Sequence, residues 1–221
     1  MTHMPKVTVL GGKGEQPRPV VYLHMEPEEA ARLAVELPCC VLVCVSGNDW
    51  NRDFSPWTAA GVFRTGGDFS GGAEGYLQTF RQEVMPAAEG AMHFSVTGRY
   101  IAGYSMAGLF ALYSWLRGMQ WDGVACCSGS VWFDGFEPWA RAQNAQPTRL
   151  WMSVGDREKR TRNVRMQCVE DCARRLAQHW GERMPTHFQL EKGGHFEEPE
   201  KRILRGIQWM LYGSIHGVTE M

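Results

Sequence analysis

No run of this 221-residue chain is apolar for long enough to be a secretory signal or a membrane span, since crossing a bilayer takes about 20 consecutive apolar residues. The expectation is a soluble, cytoplasmic protein without a membrane partner. Neither sign of charge is in excess, with 23 lysines and arginines against 24 acids and a net charge of -1. A nucleic-acid binder would usually be strongly basic, so that class is set aside. Internal repeats and low-complexity tracts are also missing. Paired cysteines are lacking too: there are seven, an odd number, and Cys39, Cys40, Cys44, Cys126 and Cys127 lie in apolar strand-like runs where a thiol acts as a small hydrophobe. Cys168 and Cys172 sit one helical turn apart, and no cysteine has the spacing of a zinc site, so neither a disulfide framework nor a metal or other cofactor is expected.

What remains is enough sequence for one domain over residues 1–221 with a sizeable core. Lys6 to Leu10, Pro19 to His24 and Cys40 to Ser46 read as strands, with a helix from Pro27 to Glu36 between the last two. Further along, Gly75 to Glu89 reads as a helix, Tyr100 to Gly103 as a strand and Met106 to Arg117 as a helix. Gly123 to Cys127, Leu150 to Val154 and Thr186 to Leu190 read as strands, and Arg162 to Trp180 and Glu197 to Leu211 as helices. The stripe Val164, Cys168, Cys172 and Leu176 is the expected buried side of the first of those helices. Alternation of this kind predicts an α/β fold, a doubly wound, mostly parallel sheet of about six strands flanked by helices, with an antiparallel strand at the N-terminal end. The stretch Gly47 to Glu74 has little periodicity and carries Trp50, Phe54, Trp57, Phe63 and Phe69, so it is expected to cap the sheet or line a pocket.

Gly103-Tyr104-Ser105-Met106-Ala107 fits a nucleophile elbow, in which a strand ends at a serine and a helix starts at once. That turn strains the serine backbone, so the positions two before and two after it must be small, as Gly103 and Ala107 are. A serine hydroxyl is a poor nucleophile unless a histidine takes its proton and an acid holds that histidine. His195, after Gly193-Gly194 and the last strand, is the candidate base, whereas His24 at a strand end is expected to shape the edge of the site. Asp156 and Glu158 both follow the strand Leu150 to Val154 and both remain candidates for the acid, with Asp134 a weaker one. The order serine, acid, histidine belongs to α/β-hydrolases. Met106 N–H and Met25 N–H are the expected oxyanion donors. Trp50, Arg52, Tyr104 and Trp132 are the candidate substrate contacts, and Arg52 with Arg157, Lys159 and Arg160 could favour an anionic substrate.

These residues give the chain a resemblance to the putative-esterase family of the α/β-hydrolase superfamily. It looks most like the ferric-siderophore (enterobactin-type) esterases, with S-formylglutathione hydrolases and feruloyl esterases more distant. The likeness is carried by Asp49-Trp50-Asn51-Arg52-Asp53-Phe54-Ser55-Pro56-Trp57, Gly71-Gly72-Ala73-Glu74-Gly75-Tyr76-Leu77, the elbow, Ser128-Gly129-Ser130-Val131-Trp132, Gly155-Asp156-Arg157-Glu158-Lys159 and Gly194-His195-Phe196. It implies Ser105 as nucleophile, His195 as base and Glu158 as the acid, although some siderophore esterases work with serine and histidine alone. Two positions depart from the pattern: Met25 follows His24 where relatives carry glycine, and Ala107 stands where glycine is commoner. The expected activity is hydrolysis of a small-molecule ester through an acyl-enzyme. Thioester cleavage or acyl transfer by the same residues, and an inactive hydrolase fold used for binding, are the competing readings.

Overall fold

The computed structural model describes residues 4–12, 14–62 and 66–213; Phe63 lies outside them. A seven-stranded sheet runs through the molecule. It contains β1 (Lys6–Leu10), β2 (Arg18–His24), β3 (Val41–Ser46), β6 (Val96–Tyr104), β7 (Gly123–Cys127), β8 (Arg149–Gly155) and β9 (Thr186–Glu191), in the order β1-β3-β2-β6-β7-β8-β9. Only β1 is antiparallel, paired with β3; every other neighbour is parallel. Strands buried on both faces need no alternation of polarity, which is why β3 is apolar almost throughout and buried at all six positions.

Side chains of successive strand residues enter two separate cores, as the pleat requires. Val20, Tyr22, Val41, Val43 and Ile101 face a core closed by helix α5 (Met106–Leu116) and helix α7 (Val169–Gly181). Val21, Leu23, Leu42, Ala102 and Ala125 face the opposite one, closed by α1 (Pro27–Glu36) and α8 (Pro199–Tyr212). Helix α5 is buried on every side and correspondingly lacks a polar face.

The stretch after β3 is more structured than its sequence suggests. It holds a one-turn helix α2 (Trp50–Asp53), capped by the Asp49 carboxylate, and a two-residue ladder between β4 (Thr58–Ala59) and β5 (Phe69–Ser70). Helix α3 (Ala73–Thr79) then runs through a π-turn at Phe80–Val84 into α4 (Met85–Gly90). Pro86 explains the wide turn, because it has no N–H for the carbonyl four residues back and its ring crowds that carbonyl. The short helix α6 (Phe136–Arg141) had no counterpart in the sequence reading. The long helix expected from Arg162 begins later, as a 3-10 turn at Met166–Cys168 leading into α7, and Val164 is 77 % exposed rather than part of its buried stripe. Asn163 accounts for the delay: its N–H bonds the Thr161 hydroxyl and its side-chain oxygen takes the Arg165 N–H, and such local bonds compete with helix.

The order of strands places the site. The chain steps from β2 outward to β3 and later resumes on the other side of β2 with β6, so a crevice opens at the carboxyl ends of β2 and β6, where ligands bind in such sheets.

Candidate active site

Ser105 stands at the junction of β6 and α5 with φ 57° and ψ -123°, a conformation rarely adopted by side-chain-bearing residues. The turn is that tight because the chain reverses against itself: a Cβ on Gly103 would meet the Ala107 carbonyl oxygen at 2.2 Å, so only glycine fits there. The Ser105 N–H donates to Cys127 O at 3.2 Å and the Ser130 N–H donates to Ser105 O at 2.9 Å, pinning the turn to the end of β7.

Folding brings distant residues together around this serine. Ser105 Oγ lies 3.1 Å from His195 Nε2, and His195 Nδ1 lies 2.8 Å from Glu158 Oε2. With a carboxylate facing Nδ1, the proton sits there and Nε2 is left to accept from the serine hydroxyl. Such a chain can move a proton off a hydroxyl and return it to a leaving group. Of the two acids that the residues left open, it is Glu158 whose carboxylate reaches His195. Asp156 instead accepts the Gly193 N–H at 2.9 Å, and Asp134 pairs with Arg165 at 2.7 Å. The Glu158 side chain is only 4 % exposed. Burial pushes its pKa up, but the hydrogen bond and charge of His195 and the Gly155 N–H outweigh that and hold the carboxyl below its usual range.

Two residues of the site were not singled out in the sequence. Arg202, on the buried face of α8 and 0 % exposed, donates through Nη1 to Glu158 Oε1 and to Ser128 Oγ, both at 2.8 Å. Its Nη2 donates to the carbonyls of Lys192 at 3.1 Å and Gly194 at 2.9 Å, while the Tyr104 hydroxyl donates to His195 O at 2.6 Å. One guanidinium thus fixes both the acid and the loop that carries the histidine. Its signal was available: Arg202 is the one charge on a stripe with Ile203, Gly206, Ile207 and Met210. The other is Ser130, buried, with its Oγ 3.4 Å from Ser105 Oγ. We expect Arg202→Met to lower unfolding stability by about 3–5 kcal/mol, because it strands a buried carboxylate. Urea denaturation reads this directly, and a loss under about 1 kcal/mol would show that Glu158 needs no cation.

Of the remaining candidates, Trp50, Tyr104 and Met25 line a cavity of about 370 Å³ beside Ser105, and Met106 and Trp132 line a second of about 130 Å³. Arg52 belongs to neither. Its guanidinium pairs with Asp53 at 2.7 Å, and the residue lines a separate cavity. Arg157 and Lys159 are likewise taken up, by Glu197 at 2.6 Å and Glu170 at 2.9 Å. His24 is 3 % exposed, shares a 2.8 Å hydrogen bond with the Tyr76 hydroxyl and is ringed by Phe54, Phe80 and Phe110. Burial pushes its pKa down to about 3 against the opposing charge of Asp53, so it is a neutral wall at physiological pH.

The same architecture recurs in solved structures. The siderophore hydrolase EstA from Aspergillus nidulans matches with a TM-score of 0.70 and 15% identity, over 95% of this chain and 94% of that one. An IroE-like serine hydrolase from Shewanella oneidensis matches with a TM-score of 0.70 and 17% identity, over 96% of this chain and 74% of that one. The fold is that of the α/β-hydrolases. More narrowly, the chain belongs to the putative esterase family, whose model matches residues 15–198. The uncharacterized protein YbbA of Bacillus subtilis (strain 168) is 26% identical over 203 residues, covering 86% of this chain and 80% of that protein. Among the described residues, no helix is long and apolar enough to cross a membrane.

Proposed function

We propose that this protein is a serine-dependent carboxylic-ester hydrolase acting on a small ester through an acyl-enzyme. The observation that carries the reading is the unbroken relay from Ser105 Oγ through His195 to Glu158, with contacts of 3.1 and 2.8 Å. Ser105 Oγ attacks the carbonyl carbon while His195 Nε2 takes the hydroxyl proton, and Glu158 steadies the imidazolium that results. Met106 N–H, at the positive end of the α5 dipole, and Met25 N–H, at the end of β2, receive the negative charge that develops on the carbonyl oxygen. The intermediate collapses as the carbon–oxygen bond to the alcohol breaks and His195 returns its proton to that oxygen. Water, deprotonated by His195, then attacks the acyl-enzyme and releases the carboxylic acid and the serine.

Siderophore esters are the first natural substrates to try, because similar solved structures include a protein described as a siderophore hydrolase. We place the protein in the cytoplasm, where thiols packed like those of Cys44, Cys126 and Cys127 stay reduced. The test of the mechanism is a fluorophosphonate probe, which phosphonylates an activated serine with loss of fluoride. The expected result is a single adduct on the Ser105 peptide of the wild type and none in Ser105→Ala. No adduct in either protein would favour an inactive binding fold, and an adduct in both would move the nucleophile elsewhere.

A further inference from the structure

Ser105, His195 and Phe196 belong to the walls of both cavities at once. Among the described residues, the smaller, about 130 Å³, is otherwise walled by apolar and uncharged groups, including Val62, Phe69, Trp132 and Met166. An apolar cavity of about 150 Å³ holds one benzene, so this one admits roughly six heavy atoms. The larger, about 370 Å³, lies between the end of β2, the start of α1 and the start of α8, and its rim carries Glu26, Glu29 and Glu200. Arg32 answers Glu200, whereas Glu26 and Glu29 have no cation within ion-pair distance among the described residues. No lysine or arginine among the described residues lines either cavity.

We infer that the substrate joins a short, uncharged acyl group, held in the smaller cavity, to a bulkier alcohol without negative charge, held in the larger. This rests on the serine-esterase reading above and narrows it, away from siderophore esters whose iron-chelating acyl arm exceeds about six heavy atoms. The assignment of the two arms follows from the order of events. The acyl group stays bound to Ser105 through the second half of the reaction, while the alcohol must leave and water must enter by the path it vacates. The roomier cavity with acidic side chains at its rim serves that traffic; the small apolar one retains the acyl chain. Phe196, 85 % exposed and shared by the two, gains burial when both are filled. An anionic alcohol would bring like charges together at the rim, where, among the described residues, no lysine or arginine lines the cavity and Arg32 is engaged by Glu200. Unscreened by salt, a negative charge about 6 Å from one carboxylate costs roughly tenfold in affinity at intermediate effective dielectric.

Two ester series measured as kcat/KM test this. Among p-nitrophenyl esters from acetate to decanoate, the expected optimum falls at about six carbons or fewer, with decanoate at least roughly tenfold below it. Among butyrate esters, those of choline and of the uncharged 3,3-dimethylbutanol are expected to exceed that of 3-hydroxypropanoate by about tenfold or more. The double variant Glu26→Gln, Glu29→Gln should raise the ratio of anionic to uncharged ester by at least about threefold. A best rate with decanoate, or an anionic ester turned over as fast as the uncharged one, overturns the inference. If p-nitrophenyl acetate is hydrolysed and Ser105→Ala abolishes that activity, such a reversal leaves the esterase reading standing. If no ester is turned over, both fall.

Discussion

Ser105→Ala is expected to lower kcat/KM for p-nitrophenyl acetate by about 10⁴- to 10⁶-fold while leaving the thermal midpoint nearly unchanged. The size of the effect follows from what alanine removes. Without the hydroxyl no acyl-enzyme forms, and the backbone donors around the site can only assist direct attack by water, which retains a small part of the rate. His195→Ala should cost about as much, and combining the two should add little, because serine and base act as one unit. Alanine keeps the Cβ that the strained turn already accommodates, so the fold should survive the change. The measurement is steady-state turnover with protein quantified independently, alongside circular dichroism melting. Turnover of Ser105→Ala within about tenfold of the wild type would remove Ser105 from the mechanism.

The second large effect separates two acids only two positions apart. Glu158→Gln is expected to reduce kcat by about 10³- to 10⁴-fold, with KM little changed. A glutamine presents either an oxygen or an NH₂ group to His195 Nδ1, and it carries no charge to steady the imidazolium in either case. Asp156→Asn should cost less than about tenfold, since the amide oxygen can still accept the Gly193 N–H that the carboxylate takes now. Paired kinetics on the two variants decide the matter, and a loss confined to Asp156→Asn would reverse the assignment. Glu158→Gln also leaves Arg202 facing a neutral amide, so part of the loss could come from the histidine loop shifting; a crystal structure of the variant with His195 in place would assign it to charge.

How far the sequence reached depended on whether the information was local. The strands around the site were legible because burial on both faces leaves apolar runs such as Val41 to Val45, and the elbow was legible because its steric demands fall on adjacent residues. Serine, acid and histidine could be ordered along the chain because each follows a strand of one sheet. The choice between Asp156 and Glu158 was not decided by that order, since both follow β8; the geometry turns on which carboxylate the loop aims at His195 and which at the Gly193 N–H. Arg52 was read in the sequence as a candidate substrate contact; in the fold its guanidinium pairs with the neighbouring Asp53 carboxylate. The start of α7 was misplaced because side-chain bonds from Asn163 override the apolar period. Arg202 went unnoticed because its meaning comes from groups at the end of β6 and in the loops after β7, β8 and β9, which no sequence window contains together.

That convergence on Arg202 has a consequence during translation. The serine leaves the ribosome first, and the guanidinium that braces its partners follows almost a hundred residues later, a delay of roughly 5–20 seconds at usual elongation speeds. On the proposed mechanism, the brace around the acid and the histidine loop is complete only once α8 docks against the sheet.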